Sequence, residues 1–435
     1  MKNLLIICPT FPPNNAVDMH RVRQGVNYWK SFGWNPIVVG VEPHLTEFPK
    51  EEILLKTIPQ GLETYHVKAF STKYTRKIGL GDLGLRSIHF YRKKVNKIIN
   101  QKEKEGNSIQ LIYFSTTTFS LCILGAYWKK KFKIPYIIDM QDPWHSEYYM
   151  TRPKSERPSK FWFSYRLHKF LEPIAMKKVN GIVSVSEGYC KNLQERYPTT
   201  ITPQNCITLP FGAFDKDFEV ADTLKYQNPF FVQNKKQIHL VYAGVAGEYM
   251  RTASSIIFEV IKKGLNKKKE LYSKLKLHFI GTNYDSLNPS PRLLPIAKEF
   301  GVEDIVHEHV RRIDYLKVLH VLQKADGLLM FGTIDKNYTA SKLYPYILSK
   351  KPICAIFYEK SSAVSILRKT NAGVVIPFLE ENYNQDKINE AYTIFTDYLE
   401  NIEETPKTDW KAFEPYTAKE MTRKQAEFFD KIINK

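Results

Sequence analysis

Cysteine is scarce and unpatterned in this chain. Five occur in 435 residues, Cys8, Cys122, Cys190, Cys206 and Cys354. An odd number at wide spacing, with no C-x-x-C pair, argues against a disulfide framework or a zinc site. The thiols are expected to be free, buried and in a reducing compartment. Long apolar runs are missing too. Leu4-Leu5-Ile6-Ile7 stops at Cys8-Pro9, too short for a signal peptide. The longest uncharged stretch, residues 106–128, carries Ser115, Thr116, Thr117, Thr118 and Ser120 in its middle, so it reads as strand, polar turn and amphipathic helix, not as a membrane span. With 20 glycines and 24 prolines the composition is neither fibrous nor low-complexity. Negative charge is also in short supply: 45 Asp+Glu face 64 Lys+Arg, leaving a formal charge of +19. That excess implies an anionic partner, which composition leaves open among nucleic acid, a phospholipid surface and phosphorylated substrates.

What is present is a foldable αβ pattern. The chain is 43% hydrophobic with 26 Tyr, 26 Phe and 6 Trp, enough to rule out a disordered chain and long enough for two or three domains. Short apolar runs at 4–7, 36–41, 64–67, 109–114, 136–139 and 181–186 read as strands. They alternate with helical stretches at 20–32, 86–101, 119–131, 161–179 and 187–196. A second series has strands at 238–243, 277–280, 305–307, 327–331, 353–357 and 373–376. Its helices fall near 253–265, 292–300, 314–324, 343–349, 362–369, 384–401 and 417–433. Such alternation predicts two Rossmann-like parallel-sheet domains, residues 1–210 and 238–412, joined by a linker over 211–237. Ligands are then expected at the carboxyl ends of the strands, in a cleft between the halves.

Four segments sit where such folds place chemistry. The first strand opens into Pro9-Thr10-Phe11-Pro12-Pro13 and a loop holding Asp18, His20, Arg21 and Arg23. A helix starting there offers free N–H groups to an anion. The loop lacks the G-x-G-x-x-G fingerprint, which disfavours a nicotinamide or flavin cofactor. The strand Ile137-Ile138 runs into Asp139-Met140-Gln141-Asp142-Pro143-Trp144-His145. Carboxylates and an imidazole at a strand end can position a hydroxyl or take its proton, or can simply cap a turn. In the second half, Tyr242-Ala243-Gly244-Val245-Ala246-Gly247-Glu248-Tyr249-Met250-Arg251 links strand to helix. Its glycines admit a ligand close to the backbone and Arg251 suits a phosphate. Finally Thr339-Ala340-Ser341-Lys342-Leu343-Tyr344-Pro345 places Lys342 in a first helical turn, where a cation opposes the helix dipole unless an anion is shared there.

Taken together, these segments resemble the GT-B glycosyltransferases of family 4, over nearly the whole chain. The resemblance rests on the opening strand with His20-Arg21-Val22-Arg23, on Asp139-Met140-Gln141-Asp142-Pro143-Trp144, and on Asn180-Gly181-Ile182-Val183-Ser184-Val185-Ser186-Glu187. It rests also on Leu209-Pro210-Phe211-Gly212 and on Ser341-Lys342-Leu343-Tyr344-Pro345-Tyr346 before Lys351-Pro352. It implies an α/β GT-B fold and transfer of a sugar from a nucleotide-diphosphate sugar with retention, without a metal or other cofactor. The first half would take the acceptor and the second the donor. Carried over residue by residue, it implies Asp142, His145 and Asp18 as catalytic candidates, and His20, Arg21 and Trp144 on the acceptor side. Arg251, Lys342, Ser341 and Gly247 fall on the donor diphosphate, and Gly244, Gly281, Val310, Tyr344 and Glu359 on the nucleoside and sugar. It also implies that residues 413–435 form a helix crossing back onto the first half. Two departures stand out. The family's paired glutamates fall here on Asn337 and Pro345, so ribose recognition passes to Glu359 or backbone groups, or activity is lost. The arginine of its Asp-Arg-Asp-Pro-Trp pattern is Gln141.

The positive charge is concentrated in the first half. Residues 68–104 hold 11 basic and two acidic side chains, and residues 152–178 hold eight and two, interleaved with Phe161, Trp162, Phe163, Tyr165 and Phe170. Basic stretches with aromatics suit an anionic membrane surface. The expectation is a cytoplasmic enzyme, peripheral on the inner face of the plasma membrane, with a lipid-linked or glycan acceptor in cell-surface polysaccharide or lipopolysaccharide synthesis. Nucleic acid is not expected as a partner, since no binding module is present. A non-catalytic GT-B scaffold and a sugar-nucleotide epimerase are the alternatives.

Overall fold

Parallel strands buried on both faces read as near-continuous apolar runs, as residues 4–7 and 328–331 do here. The computed structural model describes residues 1–78, 80–144, 150, 153–154, 157, 161–283, 289–334, 342–379 and 383–434. The chain divides into two compact units, Met1–Gly212 with Ala418–Lys435, and Ala213–Thr417.

The first unit is built on β1 (Lys2–Ile7), β2 (Trp34–Val41), β3 (Glu63–Val67), β4 (Ile109–Ser115), β5 (Tyr136–Met140), β6 (Gly181–Ser184) and β7 (Cys206–Thr208). They form one sheet in the order β3-β2-β1-β4-β5-β6-β7, every pair parallel. Leu4, Leu5, Ile6 and Ile7 are wholly buried at its centre. The order reverses between β1 and β4, and that switch point is where open α/β sheets leave room for a ligand.

The Ala418–Ile433 helix belongs to this unit. Phe429 is fully buried among Trp34, Tyr113 and Trp29, with ring centroids 5.6, 5.2 and 6.4 Å away. Gln425 donates to the Tyr113 hydroxyl at 2.7 Å and Lys2 pairs with Asp430 at 2.6 Å. Gly181 leaves room for this helix, since a Cβ there would lie 2.9 Å from Phe428.

The second unit carries β8 (Ile238–Ala243), β9 (Leu275–Ile280), β10 (Val306–His309), β11 (Gly327–Phe331), β12 (Ile353–Tyr358) and β13 (Val374–Phe378). Its sheet is again all parallel, in the order β10-β9-β8-β11-β12-β13. The switch point lies between β8 and β11. Pro377, which cannot donate to a ladder, sits on the edge strand β13. Among the described residues no helix is long and apolar enough to cross a membrane.

Three expectations need correction. Cys190 and Cys206 are not free thiols: they are joined in a disulfide, with Cα atoms 6.3 Å apart, tying the Glu187–Arg196 helix to the edge strand β7. Cys8, Cys122 and Cys354 are free and buried. The helix expected over 20–32 breaks into an α-helix, His20–Gly25, and a 3₁₀ turn, Trp29–Phe32. The Trp29 ring packs against Gly25, where a Cβ would lie 2.6 Å from it, and that packing folds the segment back. Residues 213–237, expected as linker, belong to the second unit and include a helix, Asp215–Asp222.

Candidate functional site

In the first unit the strand ends converge on two buried carboxylates. Asp139, at the end of β5, is fully buried, and Arg21 donates Nε to its Oδ2 at 2.8 Å. Tyr113 and Ser115 donate to the same oxygen at 3.0 Å each, and Gln141 at 2.8 Å. The guanidinium of Arg21 also reaches the carbonyls of Leu209 (2.7 Å) and Pro210 (3.3 Å) and lies over the Phe211 ring. Arg21 therefore holds the end of the Met1–Gly212 stretch onto the sheet. Gln141 fills the place of the family's arginine with neutral donors, bonding Asp139, the Ser115 hydroxyl and the Asp18 carbonyl.

Asp18 lies at the switch point. It is buried and accepts from Thr10 Oγ1 at 2.7 Å, Thr116 Oγ1 at 3.2 Å and the Thr117 N–H at 3.0 Å. Burial pushes its carboxyl up, against the pull of these hydrogen bonds. Asp142 is the accessible member of the group, and its carboxyl is pushed up by its partly enclosed setting and by Asp18. His20 shares a hydrogen bond with Arg23 at 3.1 Å, and burial followed by that guanidinium holds its imidazole well below the ordinary value. Trp144 is buried, stacked on Phe119 with its indole N–H given to His168 at 2.9 Å, so it packs the core instead of facing an acceptor. His145 lies outside the described residues.

In the second unit the loops after β8, β9 and β10 are laced side by side. Gly244 N–H bonds to the Ile280 carbonyl (2.8 Å), Gly281 N–H to His309 (2.7 Å) and Asn283 N–H to Val310 (3.2 Å). Gly244, Gly281 and Val310 thus line successive strand ends. Gly244 has φ +131° and Gly281 φ +73°, backbone that favours glycine. Lys342, just before the short Leu343–Leu348 helix, brings its Nζ to the Tyr242 hydroxyl at 2.8 Å and 4.3 Å from that ring's centroid. Burial alone pushes its ammonium down to about 7. Pro345 is accommodated in the first turn of that helix.

The other donor candidates have protein partners. Arg251 makes a fork with Glu299 at 2.8 and 3.2 Å and also pairs with Glu248, and these carboxylates push its pKa up. Glu359 is held bidentately by Arg368 at 2.5 and 3.0 Å. Tyr344 is buried and stacks on Tyr416, and burial pushes its phenol up to about 12. Gly247 precedes a 3₁₀ turn, Glu248–Met250, that leads into the Arg251–Lys267 helix. Ser341 and Asn337 lie outside the described residues. Lys342 and Gly244 are therefore brought together, while Arg251 and Glu359 are each committed to an ion pair of their own.

Sequence reasoning passed over three contributors: Tyr242, which receives Lys342; the threonines around Asp18; and Gln141 as a structural hub. The polar run after β4 and the tyrosine ahead of the glycine turn were the available signals. Among the described residues no group of three or more His, Cys, Asp or Glu side chains is disposed to hold a metal ion.

Two parallel sheets of seven and six strands, each with its switch point, make this a GT-B fold, the architecture of a large class of glycosyltransferases. A glycosyltransferase from Rickettsia africae superposes with a TM-score of 0.58 at 14% identity, over 99% of this chain and 98% of that one. The Anabaena protein HepE, in complex with UDP-glucose, gives 0.55 at 11% over 98% and 99%. A single-residue variant of Staphylococcus aureus TarM, in complex with fondaparinux, alpha-GlcNAc-glycerol and UDP, gives 0.53 at 10% over 99% and 100%. No protein-family model matches the chain, and no curated protein sequence does either.

Proposed function

We propose that this protein is a retaining, metal-independent glycosyltransferase of the family 4 kind. It moves a sugar from a nucleotide-diphosphate sugar to a lipid-linked or polysaccharide acceptor. The observation that carries the reading is Lys342, a half-buried lysine set beside the glycine turn at the switch point of the second unit. Departure of a nucleoside diphosphate leaves negative charge on its terminal phosphate. A fixed cation at that point stabilises the charge as it grows. In the first unit, Asp142 is the accessible carboxylate, with a raised pKa that suits a group meeting an acceptor hydroxyl. Asp18 and its threonines tie the loop after β1 to the turn after β4. Calorimetric titration against a panel of nucleotide sugars tests the donor half of the reading. Binding by the wild type that is lost in Lys342→Ala is expected; no binding to any of them sinks the reading. Pro345 in a carboxylate's place favours the second reading, a non-catalytic binding protein, and product analysis with an added acceptor separates the two.

The acceptor is proposed to be presented at an anionic membrane. The Phe161–Met176 helix exposes Trp162 (64%) and Phe170 (68%) together with Phe163 and Ile174. Arg166 lies 4.0 Å over the Trp162 ring and Lys169 is one turn further on. Aromatics and cations on one exposed helix suit the interfacial zone of a bilayer. Flotation with phosphatidylglycerol vesicles at low salt should carry the protein up, and the Trp162→Glu/Phe170→Glu variant should stay down.

A further inference from the structure

We propose that Tyr242 is a positioning residue for Lys342: its hydroxyl and ring face hold the ammonium group beside the Gly244 turn until a pyrophosphate diester takes the lysine over, together with one proton. The inference rests on the donor-site reading above and adds to it the way the site is charged.

The argument starts from the rigidity of the ring. Tyr242 is fully buried, stacked on Phe331 with centroids 5.1 Å apart and flanked by Phe279 at 6.1 Å. Its hydroxyl donates to the Val245 carbonyl at 2.7 Å, inside the glycine turn. The oxygen's lone pairs are then left to accept, and Lys342 Nζ donates to it at 2.8 Å. A cation over an aromatic face gains further attraction when desolvated. Gly244 completes the seat, because a Cβ at that position would lie 2.5 Å from Nζ. The tyrosine thus fixes where the charge stands relative to the turn that would receive the phosphates.

Among the described residues the seat contains no counter-ion. No carboxylate among them pairs with Lys342. Among the described residues the side chain facing it is Tyr242 from β8; Tyr346, on the helix that follows, has its hydroxyl bound to the Ala243 N–H at 2.7 Å. With burial as the only cause acting on it, the ammonium is pushed down to about 7 and is part-neutral near neutrality. An anion arriving at the turn supplies the missing counter-charge, so the lysine becomes fully charged and a proton enters from solvent.

The test is calorimetry of the full chain with UDP-glucose, ADP-glucose and GDP-mannose. Their pyrophosphate diesters carry no proton that titrates near neutrality. Titrations are run from pH 6 to 9 in buffers of different ionisation enthalpy. The wild type should take up close to one proton at pH 8, and its affinity should fall about fivefold from pH 7 to 8. Lys342→Arg keeps the charge at every pH and should bind with no proton uptake and a flat profile. Tyr242→Phe keeps the ring and its packing and deletes only the hydroxyl. Its loss of affinity should set in at lower pH, leaving it several-fold weaker at pH 8 and close to wild type at pH 6. A tyrosine that merely supported the fold would weaken binding equally at every pH. Binding without proton uptake, or a Tyr242→Phe profile parallel to the wild type, overturns this inference and leaves the donor site standing. Failure of all three probes to bind the wild type overturns the donor-site reading and this inference with it.

Discussion

Arg21 and Asp139 meet at 2.8 Å with almost no solvent around either. Removing one member of such a pair is costly because the other remains buried and charged. Asp139→Asn keeps the shape and removes the charge, and should lower the stability of the first unit by about 3–5 kcal/mol in urea titration. At the other strand end, Gly244→Ala places a methyl against the Lys342 ammonium on backbone at φ +131°. It should cost about 1–3 kcal/mol in stability and weaken nucleotide-sugar binding further, since the lysine must leave its seat; thermal melting beside calorimetry separates the two effects. Individual residues were only half legible in the sequence. Asp139, Arg21, Asp142 and Lys342 stood out by position at strand and helix ends. Their partners did not, because Arg21 and Asp139 are 118 residues apart, Lys342 and Tyr242 are 100 apart, and only the fold brings them together.

Strands were the most readable elements, since those buried on both faces are near-continuous apolar runs. The three-residue β7 escaped notice because Cys206-Ile207-Thr208 is too short to show a pattern, and with it went the disulfide. Alkylation of the unfolded chain should block three thiols before reduction and five after it. Reduction should release about 3 kcal/mol of restraint on the denatured chain, given the 16-residue separation. A second unannounced feature runs across β8, β9 and β10, where His239, His278 and His307 stand in a row under Phe231. Burial pushes His278 down to about 3, helped by His239, His307 and Lys276, whereas the unfolded chain titrates near 6.5. Below pH 6.5 the unfolded chain takes a proton that the folded imidazole refuses. Stability of the second unit should therefore fall as pH drops from 6.5 toward 3, by up to about 1.4 kcal/mol per pH unit. His278→Gln should flatten that slope in urea titrations at pH 7.5, 6 and 5; an unchanged slope would show that the row does not carry it.

At the scale of the molecule, the αβ alternation was enough to reach the fold class, because each strand and its crossover helix are local in sequence. The identity of the donor and acceptor was not legible, because pocket chemistry is assembled from loops of many strands. The first unit is discontinuous, made of Met1–Gly212 and Ala418–Lys435. Phe429→Ala should cost about 3–5 kcal/mol. Hydrogen exchange should rise in β2 and β4, against which Phe429 packs through Trp34 and Tyr113, and not in β8 or β11. That discontinuity also sets an order of manufacture. On a ribosome the first sheet emerges early yet lacks its aromatic cover until residues 418–433 are synthesised, after the whole of Ala213–Thr417. At ordinary elongation rates that wait is on the order of 10–40 s. The nascent chain spends it with Trp29, Trp34 and Tyr113 uncovered, an opening in which chaperones have time to bind and the unit encoded second is the first to be finished.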